Sequence, residues 1–373
     1  MNDSRLLQLE RELRRRERAD ARLRRRRRRR VVRALAMALA VAALVAVTVG
    51  TGPFALDRGG GSEGARSRGA VAGVGGARTP AAGALSLGAA RSRAGLPLGP
   101  PPLTLAPAPA AQRVRVRFHR PPRAGLLFDL DNGRVLWARD ATRLLPIASL
   151  SKMMTALLVV RSRRADTPVP IARNAVNAQG SKIGLLPLHG RVRLETLLYG
   201  LLLPSGNDAA VALAEDVSGS LHAFVARMNA EAARLGLACT RYTSPDGLDN
   251  GNSSCASDLA ELASVDLAQP RIARAARSAS AILPFPIKGG KLYLYNNNPL
   301  LRYGYPGATG LKTGETEAAG LCLVGTAERD GVKLGVVLLH SPELGRQAEL
   351  LLDRGFAAYG QRPLPAPPVP PGR

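Results

Sequence analysis

The chain has 373 residues, with 53 lysines and arginines against 28 acids and a formal net charge of +25. Residues 1–33 alone hold 15 arginines and five acids, whereas residues 124–360 hold 25 basic and 21 acidic residues. The excess charge belongs to the ends rather than to the folded body, so its average does not describe a nucleic-acid binder, and no nucleic-acid partner is expected.

Residues 5–23 alternate Leu, Glu and Arg and predict a short helix within a basic cytoplasmic segment, 1–33. The arginine run 24–30 precedes an apolar stretch, clean from Ala34 to Val49 and extending to Leu56. Positive charge on the amino-terminal side holds that side in the cytoplasm. Residues 34–56 are therefore expected to be a signal anchor that crosses the cell membrane once, with the remainder extracytoplasmic. A cleaved signal peptide and a secreted product form the alternative. Residues 57–112 are Gly, Ala, Pro, Ser and Arg with almost no aromatics, a composition that reads as a disordered linker. Residues 113–360 form the expected folded domain, followed by a Pro-rich tail at 361–373.

Within that domain, residues 125–130 and 134–138 predict strands around an Asp131-Asn132-Gly133 hairpin turn. Helical spacing predicts helices over 148–161, 193–203, 207–217, 220–235 and 256–267. Residues 319–327 and 332–340 predict two apolar strands joined at Arg329-Asp330-Gly331, and residues 343–359 a closing helix. Strands at both ends with helices between them predict an α+β domain, an antiparallel sheet flanked by helices with an inserted helical region.

The chain has six lysines. Lys152 closes Ser149-Leu150-Ser151-Lys152, and Lys312 opens Lys312-Thr313-Gly314, with Ser205-Gly206-Asn207 between them. A guanidinium does not lose its proton in a protein, but a buried amine does. Lys152 is thus a candidate base beside a candidate nucleophile, Ser149, three residues earlier on one helical face. Ser205 is a candidate proton donor to a leaving amine, and Asn207 a hydrogen-bond partner for Lys152 or a substrate amide. Lys312 and Thr313 are candidates for holding a carboxylate, and Gly314 for keeping a strand edge clear for a peptide. Backbone N–H groups of Ser149 and Glu315 are candidates for an oxyanion hole. Taken singly, Ser149 reads equally well as a helix N-cap and Ser205 as a turn residue. The ordered set of three motifs carries the chemistry.

That set resembles the signature of penicillin-recognising acyl-serine enzymes. Pro146 to Ala156, Leu203 to Ala210, Ser244-Pro245-Asp246-Gly247-Leu248, Gly310 to Thr316 and Gly320 to Ala327 resemble segments of the D-alanyl-D-alanine carboxypeptidases, the low-molecular-weight penicillin-binding proteins. The resemblance covers about residues 124–360. It implies a β-lactamase/transpeptidase-like fold and a serine peptidase that removes the terminal D-alanine from peptidoglycan stem peptides through an acyl-enzyme on Ser149. It also implies β-lactam antibiotics as covalent inhibitors. No His/Cys cluster has metal-ligand spacing, so no metal or cofactor is expected. The alternatives are a β-lactamase or D,D-endopeptidase on the same scaffold, or a non-catalytic cell-wall-binding module. Three departures stand out. Gly206 replaces the Asp usual in β-lactamases, Ser244 replaces the usual Asn of the Pro-x-Gly-Leu loop, and Glu315 occupies a position often aromatic or His. Of the three cysteines, Cys322 is expected to be a buried free thiol. Cys239 and Cys255 are open to either a disulfide or two free thiols.

Overall fold

The computed structural model describes residues 103–286 and 289–361. The basic segment, the apolar stretch 34–56, the expected linker up to residue 102 and the tail beyond Gln361 lie outside the described residues.

Strands β1 (Ala106–Pro107), β2 (Ala124–Asp129), β3 (Arg134–Arg139), β4 (Ala308–Thr316), β5 (Gly320–Arg329) and β6 (Val332–Leu339) form a six-stranded sheet in the order β1-β3-β2-β6-β5-β4. Neighbours are antiparallel, except that β1 runs parallel to β3. The early and late strands join where β2 meets β6, with Leu127 opposite Val336. Every residue of β2 is buried because the strand is covered on both faces. Leu126 and Phe128 point into one apolar core and Leu127 into a second, following the two-residue alternation of a strand.

The longer helices are α1 (Lys152–Ser162), α2 (Leu194–Leu202), α3 (Asn207–Ser218), α4 (Leu221–Arg234), α5 (Ala256–Leu267), α6 (Pro270–Ala276) and α7 (Leu344–Ala358). Residues Lys152 through Arg161 of α1 are all buried. A helix apolar on nearly every side belongs in the middle of a fold, and α1 lies at the centre of the larger core. Helix α4 shows the opposite pattern. It buries Phe224, Met228 and Ala232, one stripe at four-residue spacing, and its N-cap Ser220 accepts from the Ala223 N–H at 3.2 Å. Helix α7 covers the other face of the sheet through Ala348, Leu351, Leu352 and Phe356. The α+β architecture follows the expectation. Among the described residues no single helix is long and apolar enough to cross a membrane.

Three local expectations are refined, and one region holds elements not anticipated. Residues 103–112, expected in the linker, pack on the domain: the Ala106 N–H donates to Gly133 O at 3.0 Å and Ala108 is buried. Small apolar residues suffice there because β3 offers a free edge. The helix expected over 148–161 opens with a 3-10 turn, Ala148–Ser151, before the α-helix begins at Lys152. Arg193 ends a short strand, Arg191–Arg193, paired with Pro168–Pro170, and caps the helix that begins one residue later at Leu194. A hairpin of Ser280–Pro284 and Lys291–Tyr295, together with α6, was not anticipated. Its second strand, Lys-Leu-Tyr-Leu-Tyr, buries the leucines and exposes the tyrosines, the two-residue alternation of a strand.

Candidate active site

Ser149 lies half-buried in the 3-10 turn that leads into α1, just after Ala148, whose φ is 48°. Lys152, the first residue of α1, is fully buried. Its amine lies 2.9 Å from Ser149 Oγ and donates to Asn207 Oδ1 at 2.7 Å and to the Asp246 carbonyl at 2.5 Å. Burial pushes the Lys152 ammonium down to about 7, against the carboxylates of Asp246 and Asp208, which raise it. Near neutral pH the amine is therefore neutral for much of the time, and a neutral amine accepts a proton from a hydroxyl.

Asn207 opens α3 and is held from several sides. Its backbone N–H donates to Ser181 O at 2.7 Å, and its Nδ2 donates to Gln179 O at 2.7 Å, which leaves Oδ1 facing Lys152. The buried Asp208 carboxylate accepts from the N–H groups of Ile183 at 3.0 Å and Ala209 at 2.8 Å, tying the 179–183 loop to α3. Ser205 stands in the break between α2 and α3 at a φ of 65°. A non-glycine residue there costs about 1–3 kcal/mol and persists only where its surroundings impose it. The Gly206 N–H bond to Gly200 O (2.9 Å) and the Asn297 Nδ2 bond to Pro204 O (3.2 Å) impose it. Ser205 Oγ is buried and has no hydrogen-bond partner among the described residues, a property common at functional positions. The departure at Gly206 has a steric cause. A Cβ there would stand 2.4 Å from Ile183 Cγ2 and 2.7 Å from Asp208 Oδ1.

The facing wall is β4, the edge strand of the sheet. Lys312 is buried and donates to Thr313 O at 2.7 Å. Burial lowers its pKa well below the ordinary lysine value, and the positive charge of Lys152 lowers it further. Thr313 is half-buried and Glu315 exposed. Gly314 lies on that edge strand and lines the cleft, and it also meets a close approach. A Cβ at Gly314 would lie 2.8 Å from Ile147 O and 3.1 Å from Ser149 N, so this glycine lets the strand close on the Ser149 turn.

Ser149, Ser205, Thr313, Gly314 and Glu315 line one cleft of about 410 Å³, with Lys152, Asn207 and Lys312 buried beside it. All eight residues singled out from the sequence thus belong to one neighbourhood. Ser181, Asn297, Arg302, Leu321 and Leu344 also line the cleft and were not anticipated. Neither was the Asp246 carbonyl, because a backbone acceptor has no residue signature. The one available cue was the Pro-Asp-Gly turn around it. Asp246 lies in a loop closed by a Cys239–Cys255 disulfide with Cα atoms 5.6 Å apart, which settles that open pairing, and Cys322 is a buried free thiol.

A family model described as D-alanyl-D-alanine carboxypeptidase, peptidase family S11, matches residues 120–343. The chain belongs to this family. It is 37% identical over 251 residues to the D-alanyl-D-alanine carboxypeptidase DacB2 of Mycobacterium tuberculosis, covering 65% of this chain and 84% of that relative. It is 33% identical to the D-alanyl-D-alanine carboxypeptidase DacF of Bacillus subtilis, again over 65% of this chain but only 64% of that longer relative. A mutant of the Streptomyces K15 DD-transpeptidase superposes with a TM-score of 0.61 at 29% identity, covering 65% of this chain and all of that one. The protein is accordingly a serine hydrolase of the D-alanyl-D-alanine carboxypeptidase family with the penicillin-binding DD-peptidase fold.

Proposed function

We propose that Ser149 is the acyl-accepting nucleophile of a D-Ala-D-Ala carboxypeptidase and that Lys152 is its base. The observation that carries this reading is the fully buried Lys152 amine, 2.9 Å from Ser149 Oγ, with a pKa brought down to about 7. Lys152 takes the hydroxyl proton as Oγ attacks the carbonyl carbon between the two D-alanines. The N–H groups of Ser149 and Glu315 stabilise the developing oxyanion. The carbon–nitrogen bond then breaks: Ser205 passes its proton to the departing amine and takes one back from the Lys152 ammonium, and D-alanine leaves. Asn207 holds the Lys152 amine in line, while Lys312 and Thr313 hold the terminal carboxylate of the substrate. Water attacks the ester on Ser149 and restores the hydroxyl.

The substrate is the stem peptide of peptidoglycan, and a β-lactam enters as its covalent mimic. The apolar stretch 34–56 anchors the chain in the membrane, with the catalytic domain on the extracytoplasmic side. A D,D-endopeptidase is the second reading, supported by a Pseudomonas aeruginosa relative of that name at 32% identity.

The direct test is incubation of the protein with a peptide ending in D-Ala-D-Ala and measurement of free D-alanine. Labelled penicillin should form an adduct on the peptide containing Ser149. An adduct that persists in Ser149→Ala would overturn the assignment. Protease added to intact spheroplasts should digest the catalytic domain, and a soluble mature protein lacking residues 34–56 would exclude the anchor.

A further inference from the structure

The hairpin of Ser280–Pro284 and Lys291–Tyr295 has two unlike faces. Leu292 and Leu294 turn into the core, whereas Ile282, Tyr293 and Tyr295 are 61%, 57% and 69% exposed. Ile282 is directly opposite Tyr293, and Tyr295 follows two residues later on the same face. The chain has only seven tyrosines, yet Tyr293, Tyr295 and Tyr303 are all exposed within one stretch of eleven residues. Grouped exposed aromatics, unlike scattered ones, mark a surface that something covers.

This surface is built onto the rim of the cleft. Tyr295 stands two residues before Asn297, and Tyr303 directly follows Arg302; both Asn297 and Arg302 line the cleft with Ser149. Asn297 fixes the end of the hairpin to the Ser205 turn, its N–H donating to Leu203 O at 3.1 Å and its Nδ2 to Pro204 O at 3.2 Å. A second cleft-lining segment packs against the buried face of the same hairpin. Beyond Ser181 the chain reaches Gly184, where a Cβ would stand 3.8 Å from Leu292 Cδ1, and then Leu185, which is 88% exposed.

We propose that the Ile282–Tyr293–Tyr295 face is a docking platform for a polysaccharide, the glycan strand that carries the stem peptide. The proposal rests on the reading of the cleft as a D-Ala-D-Ala peptide site. A tyrosine presents a flat apolar ring with a polar tip. A sugar ring presents an apolar C–H face with a hydroxyl rim, so the two surfaces match. Alternate residues of one strand stand about 6.6 Å apart, which sets the two tyrosines in a row along which successive sugars can lie. A lipid surface calls for a broad aliphatic face beside several cations. Among the described residues this face offers one lysine, Lys291, and two phenols.

The test uses the full chain, wild type and a Tyr293→Ser/Tyr295→Ser double variant. Three ligands are compared at about 0.5 M salt, which screens the arginine-rich ends. They are glycan strands stripped of stem peptides, a soluble pentapeptide ending in D-Ala-D-Ala, and vesicles of mixed zwitterionic and anionic lipid. The double variant should bind the stripped glycan about tenfold more weakly, the scale of losing two aromatic contacts. Its KM on polymeric peptidoglycan should rise to match, while kcat and soluble-peptide hydrolysis stay at wild-type values. A Tyr293→Phe/Tyr295→Phe variant should keep most of the binding. Equal glycan binding by wild type and the serine variant overturns the platform, as does a loss confined to vesicles or a parallel loss of soluble-peptide hydrolysis. Stripped glycan carries no peptide, so a wild type that binds it but releases no D-alanine would refute the cleft reading and leave the platform standing.

Discussion

The two walls of the cleft each bury a lysine, and they treat it differently. On the α1 wall, Lys152 meets three oxygens, from Ser149, Asn207 and Asp246. On the β4 wall, Lys312 meets one, the Thr313 carbonyl. Burial drives both pKa values down, and neighbouring carboxylates partly restore only that of Lys152. Burial alone therefore does not make a base. On the proposed reading, Lys152 exchanges a proton with Ser149 in a fixed geometry, whereas Lys312 has spare donor capacity for an incoming carboxylate, which would restore its charge.

The sharpest way to break this contrast is Lys152→Arg. Charge and reach are nearly kept, but arginine does not become neutral. Acylation by penicillin should fall about 10²–10⁴-fold, the usual contribution of a general base. In the wild type the acylation rate should rise with pH through about 7 and flatten above it, because the neutral amine is the active form. The sign for stability is the same. The folded-state pKa of about 7 lies below the ordinary 10.5, so the unfolded chain binds more protons between those values. The Lys152 contribution to stability should therefore improve as pH rises from about 7 toward 10.5. A pH-independent acylation rate would remove Lys152 as the base.

Gly314→Ala tests the contact between the walls. The added methyl would press on Ile147 O and Ser149 N at 2.8 and 3.1 Å, so β4 or the Ser149 turn must shift by some tenths of an ångström. Misplacement of a catalytic group by up to 1 Å costs up to about 10²-fold, so acylation should fall by about that factor or less while the fold persists. If acylation is unchanged while peptide binding is lost, Gly314 serves the peptide edge alone. Lys312→Arg should be gentler on acylation, about tenfold, since arginine also binds carboxylates but must rearrange one charge-assisted bond. Equal losses in Lys152→Arg and Lys312→Arg, measured as second-order acylation constants, would erase the distinction between the walls.

The α1 wall was more legible in the sequence than the β4 wall and the rim, for physical reasons. The roles proposed for Ser149, Lys152, Ser205 and Asn207 rest on side chains whose chemistry is printed in their identity. The 3.6-residue period marks the helices that Lys152 and Asn207 open. The α+β layout followed from strand runs at both ends of the domain. The Asp246 carbonyl was invisible because any residue supplies one. Gly314 was legible as a glycine but not as the point where β4 touches the Ser149 turn, since that contact spans residues far apart in the chain. Asn297 and Arg302 reach the cleft through tertiary packing: Asn298 Nδ2 donates to Gly310 O at 2.8 Å and ties their segment to β4. Residues 103–112 read as linker by composition, and their order comes from an available strand edge.

The smallest expected effect on catalysis comes from the disulfide, and it tests whether the α1 wall depends on covalent support. Cys239 and Cys255 close a loop with a sequence separation of 16, and that loop presents the Asp246 carbonyl to Lys152. Constraining a loop of that size stabilises a fold by about 3 kcal/mol, chiefly by limiting the unfolded chain. The double variant Cys239→Ser/Cys255→Ser should therefore melt about 6–12 °C lower. The loop has independent ties, however. Asn252 Oδ1 accepts from the Thr243 N–H at 3.1 Å, Asn252 Nδ2 donates to Ser244 Oγ at 3.0 Å, and Thr155 Oγ1 donates to Pro245 O at 2.7 Å. Gly247 also packs so closely on the Ser149 turn that a Cβ would stand 2.0 Å from Ala148 O. These contacts hold the Asp246 carbonyl in the folded state whether or not the sulfurs are joined. Acylation well below the melting transition should stay within about twofold of wild type, as expected for sites that do not share partners. A large fall in the acylation constant with little change in melting temperature would show the reverse, that the disulfide sets the position of the Asp246 carbonyl and hence the environment of Lys152.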